Sequence, residues 1–228
     1  MMYPRRCGAA FLLLACIHVA LLCLGVRHAD ADSRSLGAIL ASYEKAKKEL
    51  QSLHTSFTQT KILTIFEEKE EAQGILLYKK PDRVIWQFTA PGQSKTVINN
   101  KDAWAVFPGI KQIQKLRMDT SDTRRILSVI GFDGSGVALS GLFDISLLDR
   151  QEPLIALRLV PIDEKISPFF SEVELFLDPT DFLPRRIVMH ETSKDLLIFN
   201  FHDLKKNVKL QDSLFEFSVP EGFEVVTY

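Results

Sequence analysis

The side chains that could do chemistry in this chain are few and widely spaced. All three cysteines, at positions 7, 16 and 23, lie within the first 31 residues. Beyond them the chain keeps three histidines, His54, His190 and His202, which are too sparse to form a zinc site without cysteine. We predict that each is a surface or turn residue. The sequence therefore predicts no metal site and no cofactor.

The nucleophile and carboxylate patterns of known hydrolases are also missing. Ser135 lies between two glycines, but without the spacing of the G-x-S-x-G elbow. Glu172 and Glu174 share a predicted strand face, yet a carboxylate pair without a sugar-binding cleft is weak evidence for glycoside hydrolysis. We predict that the protein is not an enzyme, and a hydrolase with an unrecognised site stays as an alternative.

Residues 1–31 have the pattern of an export signal. Two arginines precede an almost wholly apolar run at residues 9–26, and Ala29-Asp30-Ala31 matches a cleavage site. We predict cleavage near Ala31, a single domain at residues 32–228, and a location outside the cytoplasm.

Two other interpretations of this N-terminus compete with cleavage. The segment Leu13-Leu14-Ala15-Cys16 resembles a lipobox, which would make Cys16 a lipidated anchor. The apolar run could also stay uncleaved as a membrane anchor, although the cleavage pattern follows it directly. Beyond the signal no run of 18 apolar residues follows, so the remaining chain is not predicted to span a membrane.

The charge balance argues against a nucleic-acid partner. The chain has 28 basic and 29 acidic residues. Removal of the predicted signal takes away only four charged side chains, so the remaining domain stays near neutral. A protein that binds phosphate backbones needs a basic surface instead.

The spacing of apolar residues predicts one helix followed by many short strands. Residues 36–53 have helical periodicity, and Ser33 or Ser35 can cap the start. Gly74 is a predicted bulge, and the charge run at residues 67–71 is predicted to be a hairpin tip. A sandwich or a barrel fits such strands. Strands are predicted at residues 57–66, 73–79, 84–88, 96–98, 103–107, 154–160, 173–178, 186–190, 196–202 and 215–219.

Many of these strands have one strongly apolar face. Such a face indicates either an ordinary core or the lining of a cavity for an apolar ligand, and periodicity does not separate the two. The candidate cavity residues are Leu76, Tyr78, Val84, Trp86, Phe88, Leu175, Leu177, Ile187, Met189, Phe199 and Phe201.

Four segments beyond the signal form a set of motifs. They are Leu53 to Thr60, Gly74 to Pro81 followed by Trp86, Ala103 to Pro108, and Phe215 to Gly222. Their most specific parts are an S-F-x-Q opening, a K-x-P step before a strand tryptophan and an F-x-F-x-x-P-x-G close. Together these segments, whose order and spacing fit nearly all of the chain beyond the signal, resemble the LolA-type periplasmic carriers of outer-membrane lipoproteins.

The resemblance implies a mainly β fold, an open and incomplete antiparallel β-barrel with helices covering its mouth. It further implies a periplasmic protein that binds the acyl chains of lipoproteins inside the barrel and has transient membrane contact. The implied partners are acylated lipoproteins or other lipid cargo, an inner-membrane ABC transporter and an outer-membrane receptor. An envelope lipid-binding sensor on the same fold is the alternative function.

One position departs from the family pattern. Typical members have an arginine before the proline of the second motif, and it hydrogen-bonds the helical lid, whereas this chain has Lys80. Lysine lacks the planar fork of arginine, so the contact with a lid is expected to be weaker. A short helix predicted at residues 122–130 and the glycines at residues 131–136 are the candidate lid and hinge.

Overall fold

The computed structural model of the chain describes three ranges, which are residues 35–117, 138–149 and 153–228. The chain divides into two compact units, Met1–Ile39 and Leu40–Tyr228. The predicted signal with Cys16 and the predicted lid and hinge at residues 122–136 lie outside the described ranges. Among the described helices, none has the length and apolarity needed to cross a membrane.

Helix α1 spans Leu36–Glu49. The Oγ of Ser35 accepts a hydrogen bond from the backbone N–H of Ala38 at 3.2 Å, which caps the helix start and confirms one of the two predicted caps. The predicted helix was too long at its other end. Leu53, which was assigned to its apolar face, already lies in the first strand.

One sheet of twelve strands follows the helix. Its strands alternate in direction over nearly the whole sheet, and most are joined by short turns. They are β1 Ser52–Leu63, β2 Glu68–Lys79, β3 Arg83–Ala90, β4 Ser94–Asn99, β5 Asp102–Phe107, β6 Gln112–Arg117, β7 Phe143–Leu147, β8 Ile155–Pro161, β9 Phe170–Leu177, β10 Pro184–Glu191, β11 Leu196–Lys206 and β12 Glu224–Thr227.

The strand order is β12-β6-β5-β4-β3-β2-β1-β11-β10-β9-β8-β7. Strands β1 to β6 form one meander and β7 to β11 a second, and the two join where β1 pairs with β11. Only the pairing of β12 with β6 is parallel in the described residues. Because β12 and β7 stand at opposite ends, the sheet is open there. The predicted mainly β, open architecture is confirmed, whereas helices covering a mouth stay a prediction.

The C-terminal segment at residues 207–223, here called the strap, crosses one face of the sheet. The Oδ1 of Asn207 accepts a hydrogen bond from the backbone N–H of Gln51 at 2.8 Å. Farther along, Phe215 is fully buried against Ile85 and Val97. We call this side of the sheet the strap face. The opposite side is called the aromatic face, since it carries the rings described below.

Two basic side chains fasten the middle of the strap to β2 and β3. Lys79 donates through Nζ to the carbonyl oxygen of Leu210 at 2.7 Å and also to the carboxylate of Asp212. Arg83 donates to the same carboxylate at 2.5 Å. The hydrogen bond from Lys79, together with the charge of Arg83, holds the pKa of Asp212 below its usual range.

Several strand boundaries differ from the prediction, and three strands were missed. Of the charge run predicted as a hairpin tip, only Glu67 lies in the β1–β2 turn, because Glu68–Lys79 is all strand and Glu68 to Glu71 pair with β1. The predicted strand at residues 215–219 is wrong. Phe215 ends a short 3-10 turn, and the last strand begins only at Glu224. Strands β6, β7 and β12 were not predicted at all.

Candidate functional site

The register of the sheet puts all eleven candidate cavity residues on the aromatic face. Side chains of directly paired residues lie on the same side of a sheet. Leu76 pairs with Trp86, and Tyr78 pairs with Val84. The other meander continues this face through further pairs, among them Ile187 with Phe199, Ile187 with Leu175, and Met189 with Leu197.

An aromatic cluster lies where the two meanders meet. The ring of Phe57 is 4.9 Å from that of Trp86, 5.3 Å from that of Phe88 and 6.0 Å from that of Phe199, measured between centroids. Trp86 and Phe199 are 5.2 Å apart in an edge-on arrangement. Phe199 also stacks on Phe201 at 6.5 Å. Such geometry adds about 0.5–1.5 kcal/mol per pair beyond the area buried.

Sequence reasoning left the central ring out of the candidate site. Phe57 pairs with Phe201 on one side and with Gly74 on the other, and it is fully buried. It occurs in the S-F-x-Q segment, which was used only for the family resemblance. The alternation of Leu53, Thr55 and Phe57, all buried, was the signal that could have found it.

Gly74 makes room for this central ring. A Cβ placed there would lie 2.1 Å from the backbone oxygen of Gln87 and 2.7 Å from Cζ of Phe57. The pairing of β2 with β3 also shifts register at this point, where Gly74 faces Phe88. The predicted bulge is therefore confirmed, and its physical reason is a close approach of two strands beneath an aromatic ring.

The burial of the face distinguishes two of its residues from the rest. Trp86 and Phe88 are only half-buried, and they lie in the aromatic cluster. These two rings are therefore the candidate residues that solvent reaches, and the cavity itself stays a prediction. The other nine candidates are buried, namely Leu76, Tyr78, Val84, Leu175, Leu177, Ile187, Met189, Phe199 and Phe201.

Lys80 contacts the end of α1. Its Nζ donates to the carbonyl oxygen of Lys48 at 2.8 Å, and its backbone N–H donates to the carbonyl oxygen of Gln51 at the same distance. A cation suits this position, because the last carbonyl groups of a helix carry partial negative charge. The predicted contact with a lid concerns residues 122–130, which lie outside the described ranges.

A charged network occupies the strap-face side of β8, β9 and β10. The carboxylate of Glu172 accepts two hydrogen bonds from Arg158, at 2.7 and 2.8 Å. His190 approaches Glu174 at 3.4 Å, and one ligand atom from each of Glu172, Glu174 and His190 lies within 4.8 Å of the others. Because Arg158 neutralises one carboxylate, the arrangement fits an ion-pair network better than a cation site.

A polar cleft of 360 Å³ lies beside α1, and Asp181 is its most constrained residue. The carboxylate of Asp181 accepts hydrogen bonds from the backbone N–H of Leu183 at 3.1 Å and from Arg185 at 2.9 Å, and Lys206 lies 3.3 Å away. Burial alone would raise the pKa of Asp181. These hydrogen bonds and the charge of Arg185 outweigh burial and hold the pKa below its usual value.

Comparison with known proteins shows which family this chain resembles. A protein called outer-membrane lipoprotein carrier protein from Nitrosomonas europaea is 22% identical over 175 residues, covering 77% of this chain and 82% of the relative. Another of the same description, from Pseudomonas entomophila, is 24% identical over 210 residues and covers 91% and 95%.

The fold has a counterpart among solved structures. An uncharacterised conserved protein from Thermus thermophilus superposes with a TM-score of 0.56 at 16% identity, covering 84% of this chain and 98% of that one. The model of the family described as "Outer membrane lipoprotein carrier protein LolA" matches residues 48–218, from the end of α1 into the strap. This match spans most of the chain, which therefore belongs to the LolA family of outer membrane lipoprotein carrier proteins.

Proposed function

We propose that this protein carries acylated lipoproteins from the inner to the outer membrane and that the aromatic face holds their acyl chains. Family membership and the names of the relatives support a carrier. The observation that carries the finer proposal is the gathering of eleven apolar residues and Phe57 on one side of the sheet.

The energetics of the cargo explain why such a face is needed. An acyl chain in water costs about 0.8 kcal/mol for each exposed CH₂ group. A chain of roughly 16 carbons therefore costs about 12 kcal/mol, so free passage between membranes is rare. A carrier must offer an apolar surface that lowers this cost and still releases the cargo.

The half-buried rings are the proposed entry point. Acyl groups would first replace solvent at Trp86 and Phe88 and then separate the packed rings of Phe57 and Phe199. On release these rings close on one another again, which recovers part of the lost contact and favours departure of the cargo. The lid and hinge predicted at residues 122–136 belong to this proposal as its cover.

Photo-crosslinking tests the proposed binding face. A photoreactive phenylalanine analogue at Trp86 or Phe199 is expected to capture acylated cargo in the envelope. The matched control is Trp104, which lies on the strap face and stacks on Phe217 at 5.1 Å. Glu68, an exposed strand residue, is a second control. Equal labelling at Trp86, Trp104 and Glu68 would refute a cargo-binding aromatic face.

The route and location are separate parts of the proposal. We propose that the protein works in the periplasm after cleavage near Ala31, with an inner-membrane ABC transporter as donor and an outer-membrane receptor as acceptor. The mass of the mature N-terminus separates cleavage from lipidation at Cys16, which would tether the protein. If crosslinking captures lipid but depletion of this protein leaves lipoprotein sorting intact, the alternative function is favoured, which is an envelope lipid-binding sensor.

A further inference from the structure

Five of the six most exposed large apolar side chains of the described residues gather at one end of the sheet. Strand directions place five turns at this end, which we call the tip rim. Three of the turns carry Ile65 and Phe66, Ile110, and Ile162 with Phe169. These five side chains are between 52% and 77% exposed. Single exposed apolar residues are ordinary, but five on one rim need an explanation.

Hydrogen bonds confirm that neighbouring turns of the tip rim lie together. The backbone N–H of Thr64, in the β1–β2 turn, donates to the carboxylate of Asp195 in the β10–β11 turn at 2.9 Å. In the next turn pair, the hydroxyl of Thr192 donates to the carbonyl oxygen of Pro168 at 2.9 Å. The β1–β2, β10–β11 and β8–β9 turns are thus one continuous border.

The apolar turns alternate along this border with turns that have no large exposed apolar side chain. In sheet order the β5–β6 turn with Ile110 comes first, then the exposed Pro-Gly-Gln turn between β3 and β4 at residues 91–93, then the β1–β2 turn. The polar β10–β11 turn at residues 192–195 follows, and the β8–β9 connection comes last. Neighbouring apolar tips are four strands apart, which is about 19 Å along the sheet.

This alternation favours a lipid surface over a protein partner. A protein interface needs a contiguous apolar core surrounded by a polar border, and isolated tips do not supply one. A membrane interface accepts separate apolar wedges about 5–10 Å deep, while the turns between them stay among the headgroups. Three apolar tips spaced along one rim can also contact a flat surface, such as a bilayer, at the same time.

Charges at the tip rim agree with shallow insertion. Each apolar tip has an exposed lysine nearby, namely Lys111, Lys165 and Lys194. Lysine stems can extend toward headgroups while their ammonium groups stay hydrated. Glu67 and Glu164 stand beside the same tips, so the rim has no strong positive charge. Attraction to anionic lipid is therefore not the main contribution.

We propose that the tip rim docks this protein reversibly on a lipid bilayer by inserting Ile65 and Phe66, Ile110, and Ile162 with Phe169. The inference goes beyond the proposed function, because it concerns the empty protein and a surface other than the cargo-binding face. It gives a carrier a way to approach a membrane with a fixed orientation.

Flotation with vesicles of pure phosphatidylcholine tests the docking. The delipidated mature protein, cleaved near Ala31 so that the apolar run at residues 9–26 is absent, is expected to float with the vesicles, with little change when salt is raised. The double variant I65S/F66S is expected to lose at least about tenfold in partitioning, since two large apolar side chains no longer enter the lipid. The matched control is Tyr228→Ser, because Tyr228 is 70% exposed like Phe66 but lies at the other end of β6.

Fluorescence adds a second readout. With brominated lipid, Phe66→Trp should be quenched beyond the signal of Trp86 and Trp104, and Tyr228→Trp should not. The proposal is overturned if the unmodified protein does not float, if the double variant and the control float equally, or if Phe66→Trp is not quenched. The proposal is also overturned if the unmodified protein forms dimers and does not bind vesicles, and if these dimers dissociate in the double variant. The tip rim would then bind a second copy of the chain.

The outcomes for the two proposals are distinguishable. Loss of flotation with cargo crosslinking intact at Trp86 overturns the docking inference and leaves the proposed carrier function standing. Flotation with vesicles but no cargo crosslinking at Trp86 overturns the proposed carrier function and leaves the docking inference standing.

Discussion

Replacement of Gly74 by alanine is the sharpest test of how the aromatic face is built. The new Cβ would lie 2.1 Å from the backbone oxygen of Gln87 and 2.7 Å from Cζ of Phe57. A flexible side chain could move away from such a clash, but Gln87 is a backbone contact inside β3, between β2 and β4, and its carbonyl cannot shift cheaply. Either the bulge widens or the ring of Phe57 leaves its place.

The expected cost follows from these two contacts. Overpacking of a well-filled core costs about 1–3 kcal/mol. Displacement of Phe57 also weakens its pairs with Trp86 and Phe88, each of which contributes about 0.5–1.5 kcal/mol. We expect Gly74→Ala to lower the free energy of unfolding by about 2–4 kcal/mol. For a domain of this size that lowers the Tm by roughly 4–16 °C.

Urea unfolding followed by circular dichroism measures the change, and Gly92→Ala is the matched control. Nothing lies within 4 Å of a Cβ at Gly92. Both variants restrict the unfolded chain equally, so their difference isolates the native-state clash. A Gly74→Ala protein within about 0.5 kcal/mol of the Gly92→Ala protein would refute the close approach of β2, β3 and the Phe57 ring.

Two further substitutions test the strap and the cleft beside α1. Phe215→Ala removes a fully buried ring from contact with Ile85 and Val97. We expect it to lower the free energy of unfolding in urea by about 3–5 kcal/mol. A decrease below about 1 kcal/mol would contradict the docking of the strap on the sheet. Asp181→Asn should cost about 1–3 kcal/mol at neutral pH. Because the folded pKa of Asp181 is lowered, the carboxylate stabilises the fold above the unfolded pKa of about 3.9, and this contribution is lost as pH falls through the folded pKa. Unfolding curves of both proteins should converge in acid, and a gap that persists there would contradict the assignment.

The apolar face of the strands that lie in the sheet followed from the sequence, whereas the ends of several strands did not. Val84, Trp86 and Phe88 recur with a period of two, which identified their common side correctly. The apolar Ile85 between them is buried on the opposite face, against the strap. Glu68 to Glu71 misled the prediction, because four charged residues in a row are typical of a solvated turn. They are accommodated in β2 since their side chains are exposed and the backbone pairs with β1. Backbone pairing with a neighbour is not visible in local composition.

The strap shows a second limit of local patterns. Phe215 and Phe217 alternate with polar residues as they would in a strand, so residues 215–219 were predicted as one. The alternation has another origin here. Phe215 fills a space between β3 and β4, and Phe217 stacks on Trp104. An extended segment that lies across a sheet obeys the same side-chain period as a segment paired within it.

The two faces of the sheet are buried by different contacts, which suits a protein that binds and releases its partner on only one face. The strap keeps Ile85 and Val97 covered by Phe215, and Lys79 and Arg83 hold it by a shared carboxylate. On the aromatic face, Phe57, Trp86 and Phe199 contact one another through their rings. These ring pairs are individually weak and can exchange one apolar contact for another at small net cost. A carrier of lipid needs this combination, because a face that supplied most of the folding energy could not open for an acyl chain without unfolding the sheet.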